Sequence, residues 1–134
     1  MSGRKVLDSY ALIAFMENEP GADKVAELMM RARDREKRLL LSVINWGEVY
    51  YIVCRAAGKG AAEEALKNID TLPVEVIPVD REITQVAAEF KSKNKMSYAD
   101  CFAAALAKLH KAELVTGDRE FKPLAGELKI VWLR

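Results

Sequence analysis

One histidine, His110, and two cysteines, Cys54 and Cys101, are all that this chain offers of the soft metal ligands. The cysteines lie far apart and form no C-x-x-C pair, so the usual zinc donor sets cannot be assembled, and both read as small core residues. Neither G-x-G-x-x-G nor G-x-x-x-x-G-K-[ST] occurs, which excludes nucleotide binding by a glycine-rich loop. Charge of one sign is missing too. With 21 Lys and Arg against 20 Asp and Glu the net charge is +1, so a polyanion would have to be held by a local patch. The apolar run after Arg4 and Lys5 ends at Asp8, too short for a signal peptide or a membrane span. Neither export nor a membrane partner is expected, and a reducing cytoplasm is the natural compartment.

What is present suits a globular protein. Of 134 residues, 51% are hydrophobic and 31% charged, which is enough to bury a core without staples in a single domain over residues 1–134. Lys5 to Leu7 predicts a strand, and Asp8-Ser9 a turn and cap before a helix over Tyr10 to Glu17. Pro20-Gly21 breaks the chain ahead of a second helix carrying Val25, Leu28, Met29 and Ala32, whose end runs into Arg31 to Arg38. A strand at Leu39 to Leu41 is closed by Ser42, the N-cap of a helix that Gly58-Lys59-Gly60 stops. A polar helix to about Thr71, a strand at Val74 to Ile77 and an amphipathic helix from Asp80 to Lys93 follow. Ser97 opens an alanine-rich helix. It feeds a strand at Leu114 to Thr116, a short helix over Arg119 to Leu124 and a fifth strand candidate at Lys129 to Leu133. Helices alternating with short apolar strands describe an α/β domain with a mainly parallel sheet of four or five strands covered on both faces.

In such a sheet ligands sit at the carboxyl edge of the strands. Asp8 and Asp118 directly follow strands and belong to that edge. The helix from Ser97 should run antiparallel to the strand at Leu114, which brings Asp100 to the same edge. Glu48 stands early in its own helix, and its side chain leans back toward the N-terminus. Each acid has a plain structural reading beside the functional one. Asp8 and Asp118 can cap the helices that follow them, Ser97-x-x-Asp100 matches a capping box, and Glu48 can be a solvated surface residue. Convergence changes the balance, because unit charges about 4 Å apart repel by roughly 4 kcal/mol at an effective dielectric of ~20. Four carboxylates on one rim require a cation. Oxygen ligands of this kind select Mg²⁺ or Mn²⁺.

The ordered set Asp8-Ser9, Asn45-x-x-Glu48, Ser97-Tyr-Ala-Asp100 and Thr116-Gly-Asp118-Arg-Glu-Phe121 resembles the PIN-domain ribonucleases, most closely the VapC-type toxins of toxin–antitoxin modules. The resemblance extends from Val6 to Trp132. It implies a three-layer α/β/α fold and a divalent-metal-dependent endoribonuclease that leaves 5′-phosphate and 3′-hydroxyl ends. It also implies that Asp8, Glu48, Asp100 and Asp118 bind metal and carry catalysis, with Ser9, Asn45 and Thr116 as supporting polar groups. Glu120 stands where the family often has a further acid. A homodimer and a cognate antitoxin, whose amphipathic segment lies in a groove near helices bearing residues such as Phe15, Trp46, Tyr50 and Tyr51, are implied in the same way. The absence of a Ser/His/Asp set and of a second histidine argues independently against a covalent nucleophile or a histidine-pair mechanism.

For RNA binding the sequence offers Lys91, Lys93 and Lys95 just before Ser97, and Arg119 beside an acid of the site. The run Arg31 to Arg38 is interleaved with Asp34 and Glu36 and ends a helix where cations favour the dipole, so it reads as solvated surface. His110 and Asp80 read as helix-end groups. Two other functions compete. A phosphotransferase with Asp8 as nucleophile would need an acid two positions on, where Tyr10 stands. A catalytically inactive PIN-fold module that binds RNA or protein is the stronger alternative, although such modules usually lose one or more of the acids.

Overall fold

The computed structural model describes residues 3–134. Five strands, β1 (Lys5–Leu7), β2 (Leu39–Ser42), β3 (Val74–Ile77), β4 (Glu113–Thr116) and β5 (Ile130–Trp132), form one sheet in the order β3-β2-β1-β4-β5. Every neighbouring pair is parallel. The helices are α1 (Ser9–Met16), α2 (Ala22–Asp34), α3 (Val43–Ala57), α4 (Lys59–Asp70), α5 (Arg81–Lys93) and α6 (Tyr98–His110), with a 3-10 turn at Arg119–Leu124. The expected elements are present, and the sheet is wholly parallel.

The strands are short and apolar because both faces are covered. Alternate side chains divide between two cores, as the two-residue period of a strand requires. Val6, Leu40 and Leu114 point into a core shared with Phe90 of α5 and the alanine-rich stretch of α6. Leu7, Leu41 and Val115 point into the other, with Leu12, Val25 and Val49 of α1, α2 and α3. The alanines at 103, 104, 105 and 107 leave almost no surface exposed and let α6 lie close on the sheet.

The breaks have local causes. Gly21 takes φ +100° ahead of α2, and Gly58 takes φ +93° where α3 ends and α4 begins, a backbone region that costs other residues energy. Asp80 caps α5 by accepting from the Ile83 amide at 3.0 Å, and His110 stands in the last turn of α6.

One topological feature positions the site. The chain builds outward from β1 through β2 to β3, then returns to lay β4 on the other side of β1. Connections before and after that return leave in opposite directions, opening a crevice beyond the carboxyl ends of β1 and β4. Asp8 leaves β1 there, and Asp118 lies two residues past β4.

Candidate active site

A cleft of about 360 Å³ occupies this crevice, and Asp8, Glu48, Asp100, Asp118 and Glu120 are among its lining residues. Strand ends and helix starts meet at the same edge of a parallel α/β sheet. An acid that caps a helix there therefore also faces the crevice. For Asp8 and Asp118 the capping and clustering readings are both satisfied.

Asp8 is the deepest, only 1% exposed. Its Oδ1 accepts from the Ala11 amide at 2.8 Å, capping α1, and its Oδ2 accepts from the Thr116 hydroxyl. Burial pushes its acidity up to about 7, against the lowering effect of the Thr116 and Ala11 hydrogen bonds, and the nearby Asp100 and Asp118 charges push the same way as burial. Asp100 lies in the first turn of α6. The Ser97 hydroxyl accepts from its amide at 3.1 Å, one half of the capping box. Its carboxyl is also raised to about 7, first by burial and then by the Asp118 charge, with the Ser97 hydroxyl opposing and Glu48 and Glu120 adding.

Carboxylate oxygens of Asp100, Asp118 and Glu120 lie within 4.8 Å of one another, close enough for one cation. Asp118 caps the 3-10 turn by accepting from the Glu120 amide at 2.9 Å through Oδ1, which leaves its second oxygen for the cleft. Glu120 thus stands among the closest carboxylates, although the sequence marked it only as a family position. Glu48 joins from α3. Its Oε1 accepts from the Ser9 hydroxyl and from the Asn45 amide, both at 2.8 Å. Asn45 also donates to the Ala99 carbonyl at 3.3 Å, tying α3 to the start of α6, and among the described residues its buried Oδ1 has no donor.

These observations fit a divalent cation. Two buried carboxyls held near neutrality by burial and by one another lose that penalty when a positive charge is present. Asp100, Asp118 and Glu120 could ligate it directly, with Asp8 beneath them and Glu48 on the flank. Ser9, Asn45 and Thr116 hold acids in place through the hydrogen bonds above.

The three lysines expected near the site do not line the cleft. Lys91 donates to the Met96 carbonyl at 2.8 Å. Lys93 lines a crevice with Lys108 and Glu127, and none of Lys91, Lys93 and Lys95 lines the acid cleft. Proximity in sequence to Ser97 did not carry them into the cleft wall. Arg119 donates to the Arg134 carbonyl at 2.7 Å and sits over the Trp132 ring. Among the wall residues that went unread in the sequence are Glu19 and Tyr10, and the Tyr10 ring packs on Gly117 while its hydroxyl accepts from Arg134 at 3.0 Å. Its local pattern resembles any helix aromatic, and nothing in it signals a partner 124 residues away.

The PIN domain family profile matches residues 5–127. No curated protein is similar enough in sequence to match. Solved structures of the same fold include VapBC2 from Rickettsia felis bound to a promoter DNA fragment, at 18% identity and TM-score 0.74, covering 95% of this chain and 96% of that one. VapBC-1 from nontypeable Haemophilus influenzae aligns at 19% identity and TM-score 0.72, covering 96% and 97%. VapC20 from Mycobacterium tuberculosis, described as a sarcin-ricin loop cleaving toxin, aligns at 15% identity and TM-score 0.68, covering 92% and 95%.

Proposed function

The chain belongs to the PIN-domain family, and on that premise we propose that it is a divalent-metal-dependent endoribonuclease, the toxin of a toxin–antitoxin pair. The observation that carries the proposal is the convergence of Asp8, Asp100, Asp118 and Glu120 in one cleft at the switch point, with Glu48 on its flank. A family member without activity has no need to keep five carboxylates that repel one another.

In this reading Asp8, Glu48, Asp100 and Asp118 hold Mg²⁺ or Mn²⁺, with Glu120 as a further ligand. When bound, the ion neutralises the phosphodiester and makes water a competent nucleophile at neutral pH. The protein's own groups set the geometry. Thr116 fixes the depth and rotation of Asp8, and the Ser9 and Asn45 donors hold Glu48 toward the cleft. Helices α1 and α6 both start at the crevice, so their positive ends add to the field that a phosphate meets.

The antitoxin partner rests on the fold shared with the VapBC toxin–antitoxin structures. A homodimer and a cytoplasmic location belong to the same proposal. No helix among the described residues is long and apolar enough to cross a membrane.

Incubation of the purified protein with structured and single-stranded RNA, with Mg²⁺, Mn²⁺ or EDTA, tests the function. Cleavage in either metal, loss in EDTA and product ends bearing 5′-phosphate are expected. RNA binding without cleavage in any divalent metal would favour the inactive binding module instead.

A further inference from the structure

Among the described residues, the acid cleft has no cation in its wall. Six of its lining residues are Asp8, Glu19, Glu48, Asp100, Asp118 and Glu120, and none is Lys or Arg. An RNA strand laid across it brings phosphates on either side of the scissile bond against this field. Beyond the bound metal, a cation at the rim would offset that repulsion for the flanking phosphates.

Several cations of the chain are committed to carboxylates. Arg4 pairs with Glu75, Lys5 with Glu113, Lys108 with Glu127 and Arg31 with Glu27. Two other arginines stand beside the cleft wall. Arg134 donates Nη1 to the Tyr10 hydroxyl at 3.0 Å, and Tyr10 is itself a wall of the cleft. Arg119, next to Asp118, donates Nη2 to the Arg134 carbonyl at 2.7 Å, with its guanidinium 5.1 Å from the Trp132 ring centroid. Both side chains are exposed, and among the described residues neither pairs with an Asp or Glu side chain. The recorded partner of Arg134 is the neutral Tyr10 hydroxyl, and most of the five N–H donors of each guanidinium are open.

We infer that Arg119 and Arg134 form a phosphate clasp that holds the RNA strand beside the acid cleft. The inference rests on the ribonuclease reading above and names a substrate contact within it. A guanidinium fork matches phosphate oxygens in a two-pronged geometry, and here each fork is already oriented, by Tyr10 in one case and by Trp132 with the Arg134 carbonyl in the other. Ordering the side chains before binding removes part of the entropy cost of the contact. The two aromatic rings next to the guanidiniums suit a single strand, whose unpaired bases can stack while its phosphates are held.

The test is the steady-state cleavage of a labelled single-stranded oligoribonucleotide in Mg²⁺ by the parent protein and by Arg119→Ala/Arg134→Ala. Loss of two phosphate contacts is expected to raise KM by about tenfold with kcat within about threefold. Going from 50 to 200 mM salt should weaken the parent roughly sevenfold more than the variant, the counterion release of two contacts on a single strand. Arg119→Lys/Arg134→Lys should recover much of the loss, and Arg31→Ala/Arg35→Ala, at the opposite edge of the sheet, should behave as the parent. An alanine variant with parental KM and salt dependence overturns the clasp while leaving the nuclease reading intact. So does a joint fall of kcat and melting temperature with unchanged KM, which marks a structural role. A parent that neither cleaves nor binds the RNA ends the nuclease reading itself, and the clasp with it.

Discussion

The Thr116 hydroxyl donates to the Asp8 carboxylate and at the same time accepts from the Asp118 amide at 2.9 Å. One side chain therefore links the ends of β1 and β4, and with them two acids 110 positions apart. Thr116 is fully buried, so neither hydrogen bond competes with water.

Thr116→Val keeps the shape and removes both bonds. It leaves the Asp118 amide without its acceptor, a loss of about 1–3 kcal/mol in stability that urea unfolding measures. The bond from Thr116 also lowers the Asp8 pKa, so its loss moves that pKa further up and shifts the alkaline rise of cleavage to higher pH. Thr116→Ser retains the hydroxyl and should stay near the parent in both measurements.

Gly117 between these residues has a steric role. A Cβ there would meet the Tyr10 ring, with Cζ at 2.8 Å and Oη at 3.0 Å and Cε1 closer still. Gly117→Ala therefore expels Tyr10 from the wall and breaks its bond to Arg134, at a cost of about 1–2 kcal/mol. Because both changes remove the same contact, Gly117→Ala and Tyr10→Ala should be strongly non-additive in a double-mutant cycle. Additive melting-temperature losses would show that the ring does not rest on Gly117.

Asp8 and Asp100 both titrate near 7 in the metal-free protein, against an ordinary 3.8. Between those values the unfolded chain has lost these protons and the folded chain retains them. Stability of the metal-free protein should therefore fall as pH rises from about 4 to 7 and level off above it. Asp100→Asn removes one of the two groups. At pH 8 without metal it should melt as high as the parent or higher, by roughly 4 °C if about 1 kcal/mol of repulsion is relieved. A clear loss of melting temperature would give Asp100 a purely capping role. Metal binding must displace the same protons, so Mn²⁺ affinity should climb from pH 5 to 7 and then flatten, as calorimetry across that range would record.

Glu120 separates the carboxylate triangle from the four-acid family pattern. Glu120→Gln is expected to weaken Mn²⁺ binding roughly tenfold, whereas Glu89→Gln, away from the cleft, should leave it unchanged. Equal affinities for Glu120→Gln and the parent would return Glu120 to the status of a helix-start acid.

The backbone and most of the acid cluster were legible in the sequence for physical reasons. Buried parallel strands read as apolar runs, and Asp8 and Asp118 follow two of them directly, so the sheet edge fixes their place. Asp100 was reached through the short connection between α6 and β4, which forces antiparallel packing. Glu120 was marked only by the family pattern, and its approach to Asp100 depends on the tight 3-10 geometry of Arg119–Leu124. Cations were the least legible. A lysine's reach and direction depend on the packing of its helix, and Lys91 turned to the Met96 carbonyl. The link from Arg134 to Tyr10 joins opposite ends of the sequence and leaves no local trace in either.

The central claim is that the acid cleft performs metal-dependent cleavage of RNA. Its most direct test is the rate of RNA cleavage in Mg²⁺ or Mn²⁺ by Asp100→Asn beside the parent, with the melting temperature of each measured in parallel. The expected result is a loss of about a thousandfold, the scale set by removing one preorganised charge at a reacting centre, in a protein that melts no lower than the parent. Undiminished cleavage by Asp100→Asn would contradict the account.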